Sequence, residues 1–385
     1  MTEAPLAGLR VVELARILAG PWIGQTLADL GADVIKVESP EGDDTRRWGP
    51  PFIEHGGERT AAYFHACNRG KRSVIADFST EEGASLVRRL AAQADVLIEN
   101  FKLGGLAKYG LDYPSLAAIN PRLVYCSITG FGHTGPYAPR AGYDFMIQGM
   151  GGIMDLTGDP AGEPQKIGVA FADIFTGLYG VVAIQAALSA REKTGLGQQV
   201  DMALFDTMAG VLANQAMNYL ATGVAPTRLG NAHPNIAPYQ TFPVADGHFI
   251  LAVGNDGQFA RFASIVGAPE WAADPRYLTN AARVANRAEL TAAITERTLL
   301  WQRDALLAAL ETAGVPAGPI NSVADVFADP QIIARGMRID PDGVPGVRSP
   351  ISLSASPLAL DRRAPRLGEH GEEVLAELAA LEARR

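Results

Sequence analysis

The chain has 385 residues, a formal net charge of −9 and 48% apolar residues. Such a length suggests one large or two ordinary domains, and the apolar share is ample for a sizeable core. Because the charge is mildly acidic, with no block of like charge and no basic stripe, nucleic acid is excluded as an expected partner.

Strand and helix patterns alternate through the first half of the chain. GLRVVEL is typical of a buried strand, PWIGQTLADLGA of a helix with Pro21 near its first turn, and ADVIKVE of a second strand. The rhythm continues with RSVIADF, a helix over 80–94, ADVLIEN, PSLAAIN and RLVYCSI. This alternation predicts an α/β fold with a parallel sheet and helices on both faces.

A single aspartate interrupts the long uncharged run that follows. Between Lys166 and Arg191 the chain reads IGVAFADIFTGLYGVVAIQAALSA, and Asp173 is the only residue in it that ionises near neutral pH. One interpretation is an N-cap ahead of a helix over 174–190. The other is a nucleophile, since a helix N-terminus keeps a carboxylate ionised and an ionised, poorly solvated carboxylate is reactive. The two interpretations are compatible.

The same run is long enough to span a membrane. Its central aspartate, its glycines and the charged flanking helices favour a buried core helix instead, so no membrane partner is expected. The N-terminus lacks the basic start and apolar core of a signal peptide. Cys67 and Cys126 lie far apart without a CxxC spacing, which fits a reduced, cytoplasmic protein.

The pattern changes from about Asn231. Loops and short strands (PYQTFPVADGHFILAVG) precede helices that run through Ala313, and GVPAGPIN has the composition of a loop that closes this region. The chain then returns to a strand pattern, VRSPISLS, and ends in the helical pattern EEVLAELAALEARR. These changes indicate a second region with a different architecture.

Several familiar site motifs are absent from the sequence. There is no GxGxxG after the first strand, no GxxxxGK[ST] and no GxSxG, which argues against dinucleotide, NTPase and serine-hydrolase chemistry. The six histidines are scattered and none has metal-ligand spacing, so no metal is expected.

The loops after the predicted strands are the candidates for a ligand site, because ligands of open α/β sheets bind beyond the carboxyl ends of the strands. They bring together cations, aromatic rings and backbone N–H groups, a combination that suits a phosphorylated ligand with an adenine. The loop residues of interest are Ser39, Pro40, Arg46, Arg47, Trp48, Phe78, Ser79, Asn100, Phe101, residues 67–73 and residues 129–135.

These loops, in this order, resemble those of the family III CoA-transferases (the CaiB/BaiF family), which include formyl-CoA and carnitine CoA-transferases and methylacyl-CoA racemases. The similar motifs run nearly end to end: LAGLRVVEL, AGP, GADVIKVE, GDDTR, NRGKRS, ADVLIENF, GFGHTGP, AGYD, KTGLGQ, GVPAGPIN and LGEH. VAFADIFTGLYG is similar to the stretch that bears the family's catalytic aspartate, and Asp173 falls on that position.

The resemblance implies a two-domain architecture. A large CoA-binding and catalytic domain with a Rossmann-like parallel sheet would comprise residues 1–205 and 330–385, and a smaller inserted α+β domain residues 225–329. Residues 206–224 would form a linking helix. The resemblance also implies a homodimer of two interlocked rings, each chain threaded through the other.

The resemblance further implies where acyl-CoA would bind as a substrate, with no prosthetic group, metal or ATP required. The implied CoA-binding positions are Leu18, Ala19, Ser39, Ala76, Asp77, Phe78, Ser79, Asn100, Phe101, Lys102, Lys108, Ala141, Gly142, Tyr143 and Asp144. Backbone N–H groups near Asp173 and in the 230–233 loop are candidates to stabilise an oxyanion. Leu18 and Ser39 replace a glutamine and an adenine-stacking arginine of formyl-CoA transferase, which argues against formate and oxalate.

One tetrapeptide distinguishes the branches of the family. The racemases need the histidine of AGHD as partner to their aspartate, whereas this chain reads AGYD, with Tyr143 at that position. A phenol with a pKa near ~10 cannot easily replace an imidazole at neutral pH. We therefore expect a CoA-transferase, with 2-methylacyl-CoA racemase as the alternative.

Within the transferases, WGPPF, YCSITGFGHTGP, RAGYD and AHPNIAPYQTF are most similar to the branch that uses succinyl-CoA with a dicarboxylate such as glutarate. The second carboxylate of such an acceptor would need a cation or another donor. The candidates are Arg16, Arg46, Arg47, Arg72 and His233.

Overall fold

The computed structural model describes residues 3–383 of the chain. Within this range the residues divide into two units. The first contains the residues up to 153, residues 166–221 and the residues from 330 onward, and the second contains residues 154–165 and 222–329.

The strands are β1 (Arg10–Glu13), β2 (Asp33–Glu38), β3 (Phe52–His55), β4 (Glu58–Ala61), β5 (Arg72–Ile75), β6 (Val96–Glu99), β7 (Val124–Thr129), β8 (Gln199–Ala203), β9 (Tyr239–Val244), β10 (Gly247–Ala252), β11 (Ala317–Gly318), β12 (Arg338–Ile339) and β13 (Gly346–Val347). The α-helices are α1 (Ala19–Asp29), α2 (Ala62–His65), α3 (Glu81–Ala91), α4 (Tyr113–Ile119), α5 (Asp144–Met150), α6 (Ile153–Leu156), α7 (Phe171–Thr194), α8 (Leu204–Val211), α9 (Ala213–Thr222), α10 (Asp256–Ile265), α11 (Asn280–Ala285), α12 (Arg287–Thr298), α13 (Arg303–Thr312), α14 (Val323–Ala328), α15 (Pro330–Ala334) and α16 (Gly371–Glu382). The 3₁₀ turns are Asp44–Arg47, Ala107–Tyr109, Pro269–Ala272 and Pro341–Gly343.

A six-stranded sheet organises the first unit. Its strand order is β5-β2-β1-β6-β7-β8, and every neighbouring pair is parallel. The predicted α/β fold with a parallel sheet is thereby confirmed. The order reverses direction between β1 and β6, so the loops that follow these two strands diverge and leave a crevice at their carboxyl ends.

Helices cover both faces of this sheet, because its strands are apolar on both sides. On one face, α1, α7 and α8 pack over Val11, Ile98 and Cys126. On the other, α3, α4 and α16 pack over Val12 and Leu97. Both faces are therefore buried, which explains why the strands appear in the sequence as short continuous apolar runs.

The uncharged run forms α7, which is long and apolar enough to cross a membrane by length and composition alone. In the structure, Ile184 and Leu188 of this helix lie in the core of the first unit. At Gly180 an added Cβ would meet the Ile23 side chain of α1. A side chain at position 180 would therefore displace Ile23, so glycine lets these two helices pack closely.

Several sequence predictions differ from the structure. VRSPISLS contributes only Val347 to a two-residue strand, and the residues after it are irregular. β8, by contrast, was not predicted, although QVDMA alternates exposed and partly buried positions. The C-terminal helix α16 ends at Glu382, and the last two residues of its predicted span lie outside the described residues.

The second unit has a core of its own. An antiparallel sheet, β11-β10-β9, packs against helices α10, α12 and α13. Phe242, Phe249 and Phe262 are almost completely buried in this core. The antiparallel sheet agrees with the hairpin pattern PYQTFPVADGHFILAVG, in which a short turn separates two apolar runs.

Candidate active site

A cavity of about 440 Å³ opens in the first unit at the crevice between β1 and β6. Its wall consists of Arg16, Ile17, Leu18, Ala19, Asn100, Phe101, Lys102, Leu103, Gly105, Ile128, Thr129, Gly130, Ala138, Arg140, Ala141, Gly142, Tyr143, Asp144, Asp173 and Leu204. Residues from three strand-end loops and from the starts of four helices thus meet at the position where the fold favours a ligand.

The cavity brings together most of the residues that the sequence pointed to. From the implied CoA-binding set it includes Leu18, Ala19, Asn100, Phe101, Lys102, Ala141, Gly142, Tyr143 and Asp144. Asp173 and Arg16 also line it. The loops after β1, β6 and β7 therefore converge with the start of α7, as a ligand site at the sheet edge requires.

The remaining implied CoA-binding residues lie outside this cavity. Ser79 and Lys108 line a second, shallower cleft of about 600 Å³, together with Arg88 and Tyr109. The Phe78 ring stacks edge-to-face on Phe101 at 5.5 Å and on Tyr109 at 5.7 Å, so an aromatic cluster connects the two clefts. Ser39, Ala76 and Asp77 line neither of them.

Asp173 occupies the third position of α7 and does not cap the helix. The N-cap is Ala170, whose side chain makes no capping bond. Instead, Oδ1 of Asp144 accepts the N–H groups of Ala172 at 2.8 Å and of Asp173 at 3.3 Å. The capping prediction for Asp173 is therefore wrong, because a carboxylate of another helix supplies the cap.

The environment of Asp173 raises the pKa of its carboxyl group to about 7. Burial is the larger cause and the nearby Asp144 carboxylate the smaller one. The helix N-terminus was expected to keep this group ionised, and burial opposes that effect. Near pH 7 a substantial share of Asp173 is protonated, and its ionised form is more basic than an ordinary aspartate.

A buried ion network holds the loop after β1. Nζ of Lys36 lies 3.1 Å from Glu13 Oε1 and 3.0 Å from Asp43 Oδ2, and Nζ of Lys71 lies 2.8 Å from Glu13 Oε2. Burial opposes ionisation of Asp43, but Lys36 and neighbouring hydrogen bonds lower its pKa to about 2. The Asp43 carboxylate accepts the N–H of Ile17, a residue with φ of 72°, so the network fixes a strained turn in the cavity wall.

The predicted acceptor-binding cations separate into two groups. Arg16 lines the cavity, with its guanidinium 5.4 Å from the centre of the Phe101 ring. Arg46 instead makes a buried bidentate pair with Glu38, and Arg72 is held by Asp33 together with two carboxylates of α16. The prediction that Arg46 and Arg72 bind substrate is corrected, because their hydrogen-bonding capacity is spent inside the fold.

The other two candidates also lie outside the cavity wall. Arg47 is largely exposed and pairs with Asp44 at 3.2 Å. His233 belongs to the second unit, where its backbone N–H donates to the Tyr239 carbonyl and its Nδ1 accepts from Asn235. Burial, and then Arg287, lower the pKa of His233.

The sequence analysis missed two side chains near the nucleophile candidate. Burial and then the Asp173 carboxylate raise the pKa of Tyr63, whose ring stacks edge-to-face on Trp48 at 5.3 Å. Arg140 lines the cavity and stacks over Phe131 and Tyr137. Arg140 begins the RAGYD motif but was not proposed as a binding residue, and no local pattern marks Tyr63, which follows a hairpin.

A pair of glycines lets the loop that carries Tyr143 reach the sheet. A Cβ on Gly130 would lie 2.5 Å from the Cα of Gly142, and the reverse contact is equally close. Both positions must therefore remain glycine for the 141–144 loop to pack against the end of β7.

Among residues 3–383, no group of three or more His, Cys, Asp or Glu side chains is arranged to hold a metal ion.

Comparison with known proteins agrees with this geometry. The sequence model of CoA-transferase family III matches residues 6–371. A succinate–glutarate CoA-transferase of Agrobacterium fabrum is 61% identical, over 99% of this chain and 97% of that protein. The succinyl-CoA:glutarate CoA-transferase of Homo sapiens is 40% identical, over 97% of this chain and 86% of that protein. The crystal structure of a CaiB/BaiF family protein from Brucella suis, 73% identical, superposes with a TM-score of 0.89 and covers 98% of this chain and 100% of that one.

Proposed function

Since the chain belongs to CoA-transferase family III, we propose that it moves CoA from succinyl-CoA to a dicarboxylate such as glutarate through a covalent intermediate on Asp173. The observation that carries this proposal is the position of Asp173, a carboxylate without a salt-bridge partner among residues 3–383, in the wall of the cavity at the switch point of the sheet. The names of the relatives from Agrobacterium fabrum and Homo sapiens support the choice of acids.

The proposed reaction begins with ionised Asp173. Its carboxylate attacks the thioester carbonyl of the donor, which forms a mixed anhydride and releases CoA thiolate. The thiolate then attacks the aspartyl carbonyl, which releases the donor acid and leaves an aspartyl-CoA thioester. The acceptor carboxylate attacks that thioester to form a second anhydride, and the released thiolate takes the acceptor's acyl group, which regenerates Asp173.

The environment of Asp173 suits this chemistry in two ways. Its raised pKa makes the ionised carboxylate a stronger nucleophile than a solvated aspartate. Ile17, Leu18, Ile128 and Leu204 give the cavity an apolar wall. Water would hydrolyse either anhydride, so an apolar wall that excludes it protects the intermediates.

The cations of the cavity match the charge of the proposed substrates. Arg16, Lys102 and Arg140 all line its wall. Acyl-CoA brings phosphate groups, and a dicarboxylate brings a carboxylate that does not react. Guanidinium groups bind both kinds of anion with paired hydrogen bonds.

We also propose that the chain forms the interlocked homodimer of its family, with the second unit inserted into the first. Support comes from apolar side chains that the single chain leaves exposed, since a monomer rarely shows a large apolar patch. They cluster on α5, α7 and α9 and include Phe145, Met150, Leu178, Tyr179, Val182, Met217 and Leu220. Val182, in the middle of the longest helix, is 65% exposed.

A screen of acyl-CoA donors against carboxylic acid acceptors, read by mass spectrometry, tests the function. Succinyl-CoA with glutarate is expected to be the most active pair, with oxalate and formate poor acceptors. Asp173→Asn should lower the rate at least ~10³-fold, because loss of the nucleophile removes the covalent route. Glu192→Gln, the same chemical change at the exposed far end of α7, should leave it unchanged.

Chemical trapping with hydroxylamine tests whether Asp173 forms a covalent intermediate. With acyl-CoA and hydroxylamine, wild-type enzyme should lose activity and carry a hydroxamate on Asp173. An unmodified Asp173 would rule out the covalent route. In deuterated water, incorporation of deuterium next to the acyl carbonyl would instead indicate the racemase alternative, which Tyr143 disfavours.

A further inference from the structure

A second buried carboxyl group lies directly beneath the cavity and has no part in the proposed chemistry. Glu99 is the last residue of β6, only 5% exposed, and the cavity-lining residues Asn100, Phe101 and Lys102 follow it at once. Unlike Glu13 and Glu38 at the ends of β1 and β2, it has no Lys or Arg within salt-bridge distance among residues 3–383. A buried carboxyl group without a cation invites an explanation.

Glu99 holds the loop that follows it. Its Oε2 accepts the backbone N–H of Phe101 at 2.8 Å. The Asn100 side chain, in the same segment, accepts the N–H of Arg16 at 2.9 Å and donates to the Arg16 carbonyl at 2.6 Å, which ties the segment to the loop after β1. The loop after β6 is thus fixed at two points, and Glu99 is one of them.

A chain of polar side chains leads from Glu99 to the surface. Ser127 is the register partner of Glu99 on the neighbouring strand β7, its hydroxyl favours the ionised form of Glu99, and it lies 2.8 Å from Nε2 of His133. Nδ1 of His133 lies 3.2 Å from Nε2 of Gln199. The His133 side chain is 22% exposed, so the chain ends at solvent.

This chain accommodates both protonation states of Glu99. When Glu99 is ionised, Ser127 donates to it and Nε2–H of His133 donates to Ser127, while Gln199 donates to Nδ1. When Glu99 is protonated, each bond reverses, provided that the Gln199 amide turns its oxygen to Nδ1–H. The bond from Phe101 N–H does not reverse, and it weakens when the carboxylate loses its charge.

The other ionisable groups near Glu99 do not compete for this role. Burial, followed by the charges of Glu99 and Asp112, raises the pKa of Tyr125 and keeps its phenol neutral. Burial likewise keeps Cys126 protonated. Asp201 on β8 accepts the backbone N–H of His133. Burial raises the pKa of Glu99 to about 7, while Ser127 and the Phe101 N–H oppose the rise.

We propose that Glu99 is a positioning residue for the acyl-CoA cavity, that its ionised form tightens the binding of CoA by fixing Phe101, and that Ser127 and His133 exchange its proton with solvent. This role depends on the proposed function, since it needs CoA in the cavity. The affinity for CoA then decreases as the pH falls through the titration of Glu99. A charged hydrogen bond exceeds a neutral one by enough to make the change about fivefold.

The test measures the dissociation constant of free CoA by calorimetry between pH 5.5 and 8.5, in full-length enzyme carrying Asp173→Asn so that Asp173 does not titrate. Glu99→Gln, a neutral isostere, is compared in the same background. The dissociation constant with Glu99→Gln is divided by that of the Asp173→Asn parent, which cancels the titration of the CoA phosphates. This ratio should be about five at pH 8 and approach one at pH 6. A ratio that is constant across this range overturns the proposal.

Two further variants protect the test against a fold defect. Ser127→Ala removes a donor to the ionised carboxylate, so the midpoint of the affinity change should move to higher pH. Tyr125→Phe removes a buried hydroxyl from the same face of the same strand and should leave the midpoint unchanged. Equal midpoints in the two variants overturn the proposal even if Glu99→Gln does not fold. Absence of CoA binding at every pH would overturn the proposed function and this role together.

Discussion

At the scale of single residues, the site depends on a carboxylate that is difficult to ionise. Among residues 3–383 no Lys or Arg lies within salt-bridge distance of Asp173, and the neighbouring Asp144 carboxylate both holds the start of α7 and raises the pKa of Asp173. The two aspartates thus divide the work, because one is tied by backbone N–H groups and the other remains available to react. A sequence pattern cannot assign these roles, since the capping bond joins residues 28 positions apart.

This division predicts a pH dependence of turnover. Because the pKa of Asp173 is about 7, kcat at saturating acyl-CoA should decrease as the pH falls below 7, about tenfold per pH unit well below the pKa. Asp144→Asn removes the neighbouring charge, so the pKa of Asp173 falls and the midpoint should move to lower pH. A pH–rate profile of both enzymes checks the shift, and a midpoint that rises would contradict it.

The same substitution has an expected cost. In the unsubstituted enzyme Gln148 Nε2 donates to Asp144 Oδ2. An asparagine amide at position 144 can place a second donor beside Gln148 Nε2 and so lose this bond. We expect the free energy of unfolding to fall by about 1 kcal/mol. Thermal unfolding at the assay pH shows whether the variant is folded when its rate is measured.

At the scale of elements, five strands were predictable because each is a short apolar run followed by a loop of polar and glycine residues. The crevice could be predicted as well, since the alternation of strands and helices already places the loops at one edge. The loss of VRSPISLS as a strand has a physical reason: beyond Arg348, which donates to the Met337 carbonyl, residues 349–356 pair with no strand in the described part of the chain. The pairing of Arg72 with carboxylates of α16 is likewise not predictable from the local sequence, since these partners lie about 300 residues away.

The contact between Gly130 and Gly142 gives a prediction at this scale. Gly142→Ala would force the 141–144 loop away from β7, since its Cβ would collide with the Gly130 backbone. We expect KM for acyl-CoA to rise about tenfold or more, because a 1 Å displacement of positioning groups has effects of that order. Gly135→Ala is the control, because it adds a methyl group to the same loop where nothing lies within 4 Å of the new Cβ. Its φ of 91° makes this control strained as well, so any smaller effect of Gly135→Ala separates strain from collision. Steady-state kinetics that show unchanged KM for Gly142→Ala would refute the packing argument.

At the scale of the whole molecule, the C-terminal segment completes the first unit. The buried Arg72 guanidinium on β5 receives Glu373 at 3.0 Å and Glu377 at 2.9 Å from α16. Nearby, the Gly70 N–H donates to the Arg362 carbonyl, and Arg69 donates to the Val347 carbonyl at 2.8 Å. The sheet edge formed by β5 is therefore stabilised by residues from the far end of the chain.

This arrangement predicts unequal effects of removing carboxylates from one helix. Glu373→Ala with Glu377→Ala leaves Arg72 buried with Asp33 alone and should lower the free energy of unfolding by about 2–4 kcal/mol. Glu382→Ala breaks a pair with Arg89 that is exposed on both sides and should cost less than ~1 kcal/mol. Thermal and urea unfolding measure the free energy of unfolding of both variants. Equal decreases would show that the buried contacts of Arg72 with α16 contribute no more than an exposed ion pair.

The ion pairs between Arg72 and α16 also have a consequence for biosynthesis. The ribosome makes β5 early and α16 last, and at about 5–20 residues per second the roughly 300 residues between them take about 15–60 seconds to synthesise. During that interval Arg69 and Arg72 have only their N-terminal partners, and the apolar face of the sheet that α16 covers is open to solvent. A nascent chain of this protein therefore needs protection from aggregation until α16 leaves the exit tunnel. A chain that stops before Gly371 would lack α16 and leave the sheet face that this helix covers exposed.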